Sequence, residues 1–192
     1  MFSLYYRPEN KISIDGKEYT VNTSFDVILR LIDLLKDHSV SDSVKLDMSL
    51  KMLLGDAAKT LEYNLITKKE IFNQLFDKFV METYKKPKQY DRQGNEMPLF
   101  EEDKKSHYSL KYDASYIYSS FMQAYQIDLV EQQGRLDWLK FQALLSGLPE
   151  GTKFREILSI RTWKPQSKGD NEKQRMRELQ EVYRLPDEEE VE

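Results

Sequence analysis

Two histidines, His38 and His107, are the only imidazoles in a chain of 192 residues. They stand far apart, and neither belongs to a His-x-x-x-His pattern. A zinc site needs three or four nitrogen, sulfur or carboxylate ligands brought together. Two solvated histidines are the simpler expectation. Cysteine is absent, which removes disulfides, thiolate metal sites and cysteine nucleophiles, and lends no support to an oxidising compartment. Paired carboxylates could act as general acid and base. However, Glu101-Glu102-Asp103 lies beside Lys104 and Lys105 in a polar stretch where burial would not tune it. Asp128 and Asp137 adjoin apolar helices, where capping and turn formation account for them. The seven glycines form neither a Gly-x-Gly-x-x-Gly nor a Gly-x-x-x-x-Gly-Lys-Ser/Thr phosphate cradle. No Gly-x-Ser-x-Gly elbow is present either. The expectation is a protein that is not an enzyme, with no cofactor and no metal.

Binding chemistry remains. The formal net charge is -4, a poor start for a duplex-DNA binder unless local patches override it. One such patch exists: Lys153, Arg155, Arg161, Lys164, Lys168, Lys173, Arg175, Arg177 and Arg184 outnumber the acids around them. Asp187 to Glu190 and Glu192 follow and would compete with a phosphate ligand. The basic stretch reads as the solvated side of terminal helices, and nucleic acid is disfavoured. Aromatics make up 12% of the chain, and Tyr116, Tyr118, Phe121, Tyr125, Trp138 and Phe141 fall close together. Tyr and Trp combine a large apolar body with a polar tip, which suits interfaces as well as cores. Tyr118 lies off the apolar stripe of its helix and is the better candidate for an exposed contact. Tyr118, Tyr125, Trp138, Phe141 and Arg161 form the candidate protein-interaction set.

The elements that must position these side chains are mostly helical. Ile12, Ile14, Tyr19 and Val21 flank Asp15-Gly16, which predicts a β-hairpin with a tight turn. A lone hairpin is marginal in water, so the next helix is its expected support. That helix is expected to start at Thr23, with the hydroxyl capping the first turn and Val27, Ile28, Leu31, Ile32, Leu34 and Leu35 facing inward. A second covers residues 43–54, with Leu46, Leu50, Leu53 and Leu54 inward and Gly55 as the stop. Thr67-Lys68-Lys69-Glu70 has the pattern of a capping box. It predicts a third helix through Ile71, Phe72, Leu75, Phe76, Phe79 and Val80, ended by Pro87. Asp113 is placed to cap a fourth. Further helices are expected over residues 136–146, 152–162 and 171–183.

Residues 86–111 break every period and read as a long loop, either functional or joining two helical halves. The predicted organisation is one mainly α, helical domain over residues 1–185 with a short N-terminal β-hairpin. Within it are the hairpin (1–22), N-terminal helices (23–85), the long loop (86–112) and C-terminal helices (113–185). An acidic tail follows over 186–192. Residues 1–7 lack a signal-peptide pattern, and no stretch approaches the roughly 18 apolar residues of a membrane span. A cytosolic protein with no membrane partner is expected.

One part of the chain is specific enough to compare. Asp113-Ala114-Ser115-Tyr116-Ile117-Tyr118, Phe121 and Tyr125-Gln126-Ile127-Asp128-Leu129 lead into Leu136-Asp137-Trp138-Leu139-Lys140-Phe141. Ala143-Leu144-Leu145, Gly147-Leu148-Pro149, Ile157, Ile160 and Arg161 complete the set. Together these residues resemble the bacteriophage "gene product fifteen" family; the N-terminal hairpin and helices and Glu181-Val182-Tyr183-Arg184-Leu185 are similar more loosely. The family pattern often has His before the Trp, where this chain has Asp137. A carboxylate suits the first turn of a helix, so the difference leaves the fold inference intact and weakens a chemical role there. The resemblance implies a tail-module protein of Gram-positive siphophages, acting in the host bacterial cytoplasm as a tail assembly chaperone or accessory factor. Its implied partners are phage tail proteins: the tape-measure protein and a companion tail assembly chaperone, with self-association open. The alternative is a structural virion component of the tail or connector.

Overall fold

Asp15 and Gly16 both take positive φ, 49° and 78°, the combination a two-residue hairpin turn needs. They join β1 (Lys11–Ile14) to an antiparallel β2 (Lys17–Thr20), with Ile12 opposite Tyr19 and Ile14 opposite Lys17. This computed structural model describes residues 4–6, 8–61, 63–81, 107–165 and 170–186. Most of the expected long loop, with Pro87 and the charge cluster at Glu101 to Lys105, lies outside the described residues. So do Lys168 and the acidic residues 187–192. Seven α-helices are present among the described residues: α1 (Phe25–Lys36), α2 (Asp42–Leu54), α3 (Leu65–Phe76), α4 (Ala114–Tyr125), α5 (Trp138–Ser146), α6 (Lys153–Arg161) and α7 (Asp170–Val182). The fold is mainly α with one short N-terminal β-hairpin, as the sequence predicts. The chain divides into two compact units, residues 1–97 with 130–143 and residues 98–129 with 144–192.

In the first unit, Ile12, Ile14, Tyr19 and Val21 are buried. Polar contacts tie the hairpin region down: Asn22 N donates to Leu53 O at 2.7 Å and Lys78 Nζ to Lys11 O at 3.1 Å. The Tyr63 phenol donates to Asp15 in the turn. The helix expected from Thr23 starts at Phe25, with Ser24 in the cap position and no side-chain cap bond. The reason is a distant partner: the Thr23 hydroxyl donates instead to Asp137 Oδ2 at 2.6 Å. Around that bond the backbones of Thr23–Phe25 and Leu136–Trp138 join, Phe25 N donating to Leu136 O at 2.9 Å and Trp138 N to Thr23 O at 2.8 Å. Asp137 Oδ1 accepts from Leu139 N at 2.9 Å, which caps the start of α5.

Gly55 ends α2 at φ 60°. The start of α3 also differs from expectation. Asn64 Oδ1 accepts from Thr67 N at 2.9 Å, so the helix begins at Leu65, three positions before the capping-box reading places its first residues. The helix passes into a π-helical turn over Asp77–Met81. Trp138 lies here, with its indole N–H donating to Val80 O at 3.4 Å. Its ring stacks on Phe141 at 5.7 Å, and Phe141 stacks on Phe25 at 4.9 Å.

Ser49 is fully buried in α2, and its hydroxyl has no hydrogen-bond partner among the described residues. A buried hydroxyl without a partner costs about 1–3 kcal/mol. Ser49→Ala is therefore expected to raise unfolding stability by about 1 kcal/mol, measured by denaturant titration. A loss of stability would mean that the hydroxyl has a partner.

In the second unit, Ile117, Phe121, Leu129, Leu145, Leu148, Phe154, Ile157 and Ile160 are buried. Ser120, also buried, donates to Tyr116 O at 2.7 Å and accepts from Phe154 N at 2.9 Å, so a side chain of α4 satisfies a first-turn amide of α6. Asp113 stands at the N-cap position of α4 but makes no side-chain cap bond. Its carboxylate, 1% exposed, is turned instead to Arg161, at 2.7 and 2.8 Å, and to Ser109 N at 2.9 Å. A buried carboxylate takes a bidentate guanidinium in preference to one backbone amide because the charge must be neutralised.

Candidate functional site

The candidate interaction residues have internal roles. In the first unit Trp138 and Phe141 are brought together, 0% and 2% exposed, and their rings form the stack described above. In the second, Tyr118 is half-buried and donates to Asp128 Oδ2 at 3.2 Å. That hydrogen bond first, and burial second, push its phenol above the ordinary tyrosine range, so it remains a proton donor. Tyr125 donates to Leu144 O at 2.9 Å and meets Phe121 edge to face at 5.6 Å. Arg161 is bound to Asp113, to His107 O at 3.2 Å and to Tyr183 O at 2.5 Å. Its donors are largely occupied inside the unit.

Among the described residues, no three His, Asp or Glu side chains gather where they could hold a metal ion. Of the buried polar side chains, Asp113 and Ser120 join distant segments through hydrogen bonds, whereas Ser24 and Thr152 donate within their own turns, to Asn22 Oδ1 and Pro149 O. No helix of the described residues is long and apolar enough to cross a membrane.

Among the described residues, a surface feature that could receive a ligand is apolar and lies on the first unit. Helices α1 and α2 are joined by a five-residue turn, 37–41, in which Asp37 Oδ1 accepts from Ser39 N at 2.8 Å and Ser39 Oγ at 2.6 Å. Lys45, near the start of α2, donates to Leu35 O near the end of α1 at 3.0 Å. The two helices therefore run antiparallel. Their inner stripes, Phe25, Val27, Ile28 and Leu31 on α1 and Leu50, Leu53 and Leu54 on α2, enter the core. One flank of each helix is left over. Arg30, Leu34, Met48 and Met52, together with the largely buried Val27, line an open groove of about 470 Å³. Arg30 folds back on its own helix and pairs with Asp26 at 2.8 Å.

Val44, Met48 and Met52 recur every four residues along α2, which sets them in a row on one side of the helix. Val44 is 48% and Met48 46% exposed. Unbranched, polarizable Met side chains adapt to differently shaped partners, which is why they recur on surfaces that bind helices. Sequence reasoning passed over this row because the stronger leucine stripe of the same helix accounts for its burial. The four-residue repeat of Val44, Met48 and Met52 was the signal that could have found it.

A protein-family model described as Bacteriophage Gp15 protein matches residues 9–185. No curated protein and no solved structure matches the chain.

Proposed function

Because the chain belongs to the bacteriophage Gp15 protein family, we propose that it serves phage tail morphogenesis as an assembly chaperone or accessory protein. In this reading it binds a tail component, such as the tape-measure protein, in the host cytoplasm. It works by covering apolar surface and turns over no substrate. The observation that carries the reading is the half-exposed methionine row beside the α1–α2 groove. An amphipathic helix of a client can set its apolar side chains into such a groove.

Magnitudes favour a reversible contact. Three exposed apolar side chains of a client helix gain roughly 5–9 kcal/mol on full burial, and association costs at least about 4 kcal/mol. What is left supports weak, releasable binding, as suits a factor that must give up its client when the tail polymerises.

Co-expression with the tape-measure protein tests the proposal. The expected result is a rise in the soluble fraction of the tape measure and co-purification of the two chains at low salt. Failure to recover any tail-module protein would reject it. Mass spectrometry of purified particles separates this role from that of a structural tail or connector component: a chaperone is missing from mature virions, whereas a structural component is retained.

A further inference from the structure

Helix α7 differs from the other six. Each of α1 to α6 buries at least two residues, whereas no residue over 171–182 is buried. Met176, Leu179 and Gln180 reach only half-burial, and Val182 is 74% exposed. Polar contacts fasten the end of α7. The Gln180 amide nitrogen lies within hydrogen-bond distance of three carbonyls at the end of α6 and just beyond it: Ile160 O at 3.0 Å, which also accepts from Trp163 N at 3.2 Å, Arg161 O at 3.4 Å and Trp163 O at 2.9 Å. Just past the helix, Tyr183 O accepts from Arg161 Nε, and the Tyr183 ring meets Tyr116 edge to face at 6.3 Å. Lys153 Nζ lies 5.3 Å from the centre of the same ring and 3.3 Å from its hydroxyl.

These bonds can break without opening the unit. If α7 leaves, Arg161 loses the Tyr183 carbonyl but keeps the bidentate Asp113 carboxylate and His107 O. Ile117, Phe121, Phe154 and Ile157 are core residues of α4 and α6, and Phe154 N keeps its bond to Ser120. Ile160 O keeps its bond from Trp163 N, and the carbonyls of Arg161 and Trp163 can be taken up by water. A helix that buries little apolar area and is held by hydrogen bonds belongs to the low end of the local stability range.

We propose that α7 is a displaceable strap, latched on the C-terminal end of α6 by Gln180 and Tyr183, which opens as one piece while α4 and α6 stay folded. Opening bares the end of α6 and the Tyr116 side of α4. The inference is independent of the groove on the first unit.

Hydrogen exchange of the full chain, read by mass spectrometry under native conditions, tests it. Amides over 174–183 are expected to exchange at one common rate, at least about 100-fold faster than those of α4 and α6. Gln180→Ala is expected to speed exchange in α7 by about a further tenfold, with α4 and α6 unchanged. Protection in α7 equal to that in α4 would overturn the proposal. So would a graded pattern in which the centre of α7 is as slow as α6, since that is ordinary fraying. Acceleration of α4 and α6 together with α7 in the Gln180→Ala chain would also overturn it.

Discussion

Trp138→Ala is expected to destabilise the first unit by about 3–5 kcal/mol. The indole is 0% exposed and stacks on Phe141, which in turn stacks on Phe25 of α1. Removing it costs the transfer energy of a large apolar side chain and leaves a cavity that these aromatic neighbours can close only in part. Val80 O, in the π-helical turn, also loses the indole N–H that it accepts. Trp138→Phe separates the two contributions: it retains most of the ring volume and loses the hydrogen bond, for an expected cost of about 1–2 kcal/mol. Thermal and denaturant unfolding read both values. A melt unchanged in Trp138→Ala would place the ring outside the core.

Asp113→Ala is expected to cost a similar amount in the second unit, about 3–5 kcal/mol. The Arg161 side chain is 10% exposed and Asp113 1%, so removing the carboxylate strands a buried guanidinium. Arg161→Ala strands the carboxylate in the same way. The double variant Asp113→Leu with Arg161→Met is expected to recover most of the loss, because two apolar groups leave no unpaired charge behind. Single-variant costs under about 1 kcal/mol would instead describe a solvent-screened surface pair.

Asp113 and Arg161 also mark how far the sequence could be read. The hairpin was legible because Asp15-Gly16 and the alternation of Ile12, Ile14, Tyr19 and Val21 are local signals. The helices were legible because Ile28, Leu31, Leu50, Leu53, Phe121 and Ile157 repeat at helical spacing, and that spacing follows from the geometry of one helix. Helix starts were less legible. Thr23 and Asp113 have the right chemistry for caps, but a distant partner, Asp137 for one and Arg161 for the other, takes the side chain away. Nothing within a few residues reveals such competition. At α3 the competition was local: Asn64 offers a better-placed acceptor than Thr67, and Leu65 and Ile66 then open the helix at 56% and 72% exposure.

Aromatic residues at core spacing, such as Phe121 and Tyr125, read as buried by default, with Tyr118 the better candidate for an exposed contact, and the structure gives all of them internal partners. Trp138 and Phe141 carry enough apolar area that burial within the chain outweighs display on its surface. The groove formed by Val27, Leu34, Met48 and Met52 was hidden for the converse reason. Its residues are individually ordinary, and only the antiparallel pairing of α1 with α2 sets them side by side.

In the proposed function, this groove binds a helix of a tail-module protein. The most direct test is the affinity of the purified chain for the purified tape-measure protein, measured by titration calorimetry for the unmodified chain and for Met48→Glu. Glu preserves helix propensity, and Met48 is half-exposed, so the melt should stay within about 0.5 kcal/mol of the parent. Saturable binding by the parent chain is expected, with a dissociation constant at least tenfold larger for Met48→Glu. Equal affinity of the two chains, at equal stability, would contradict it.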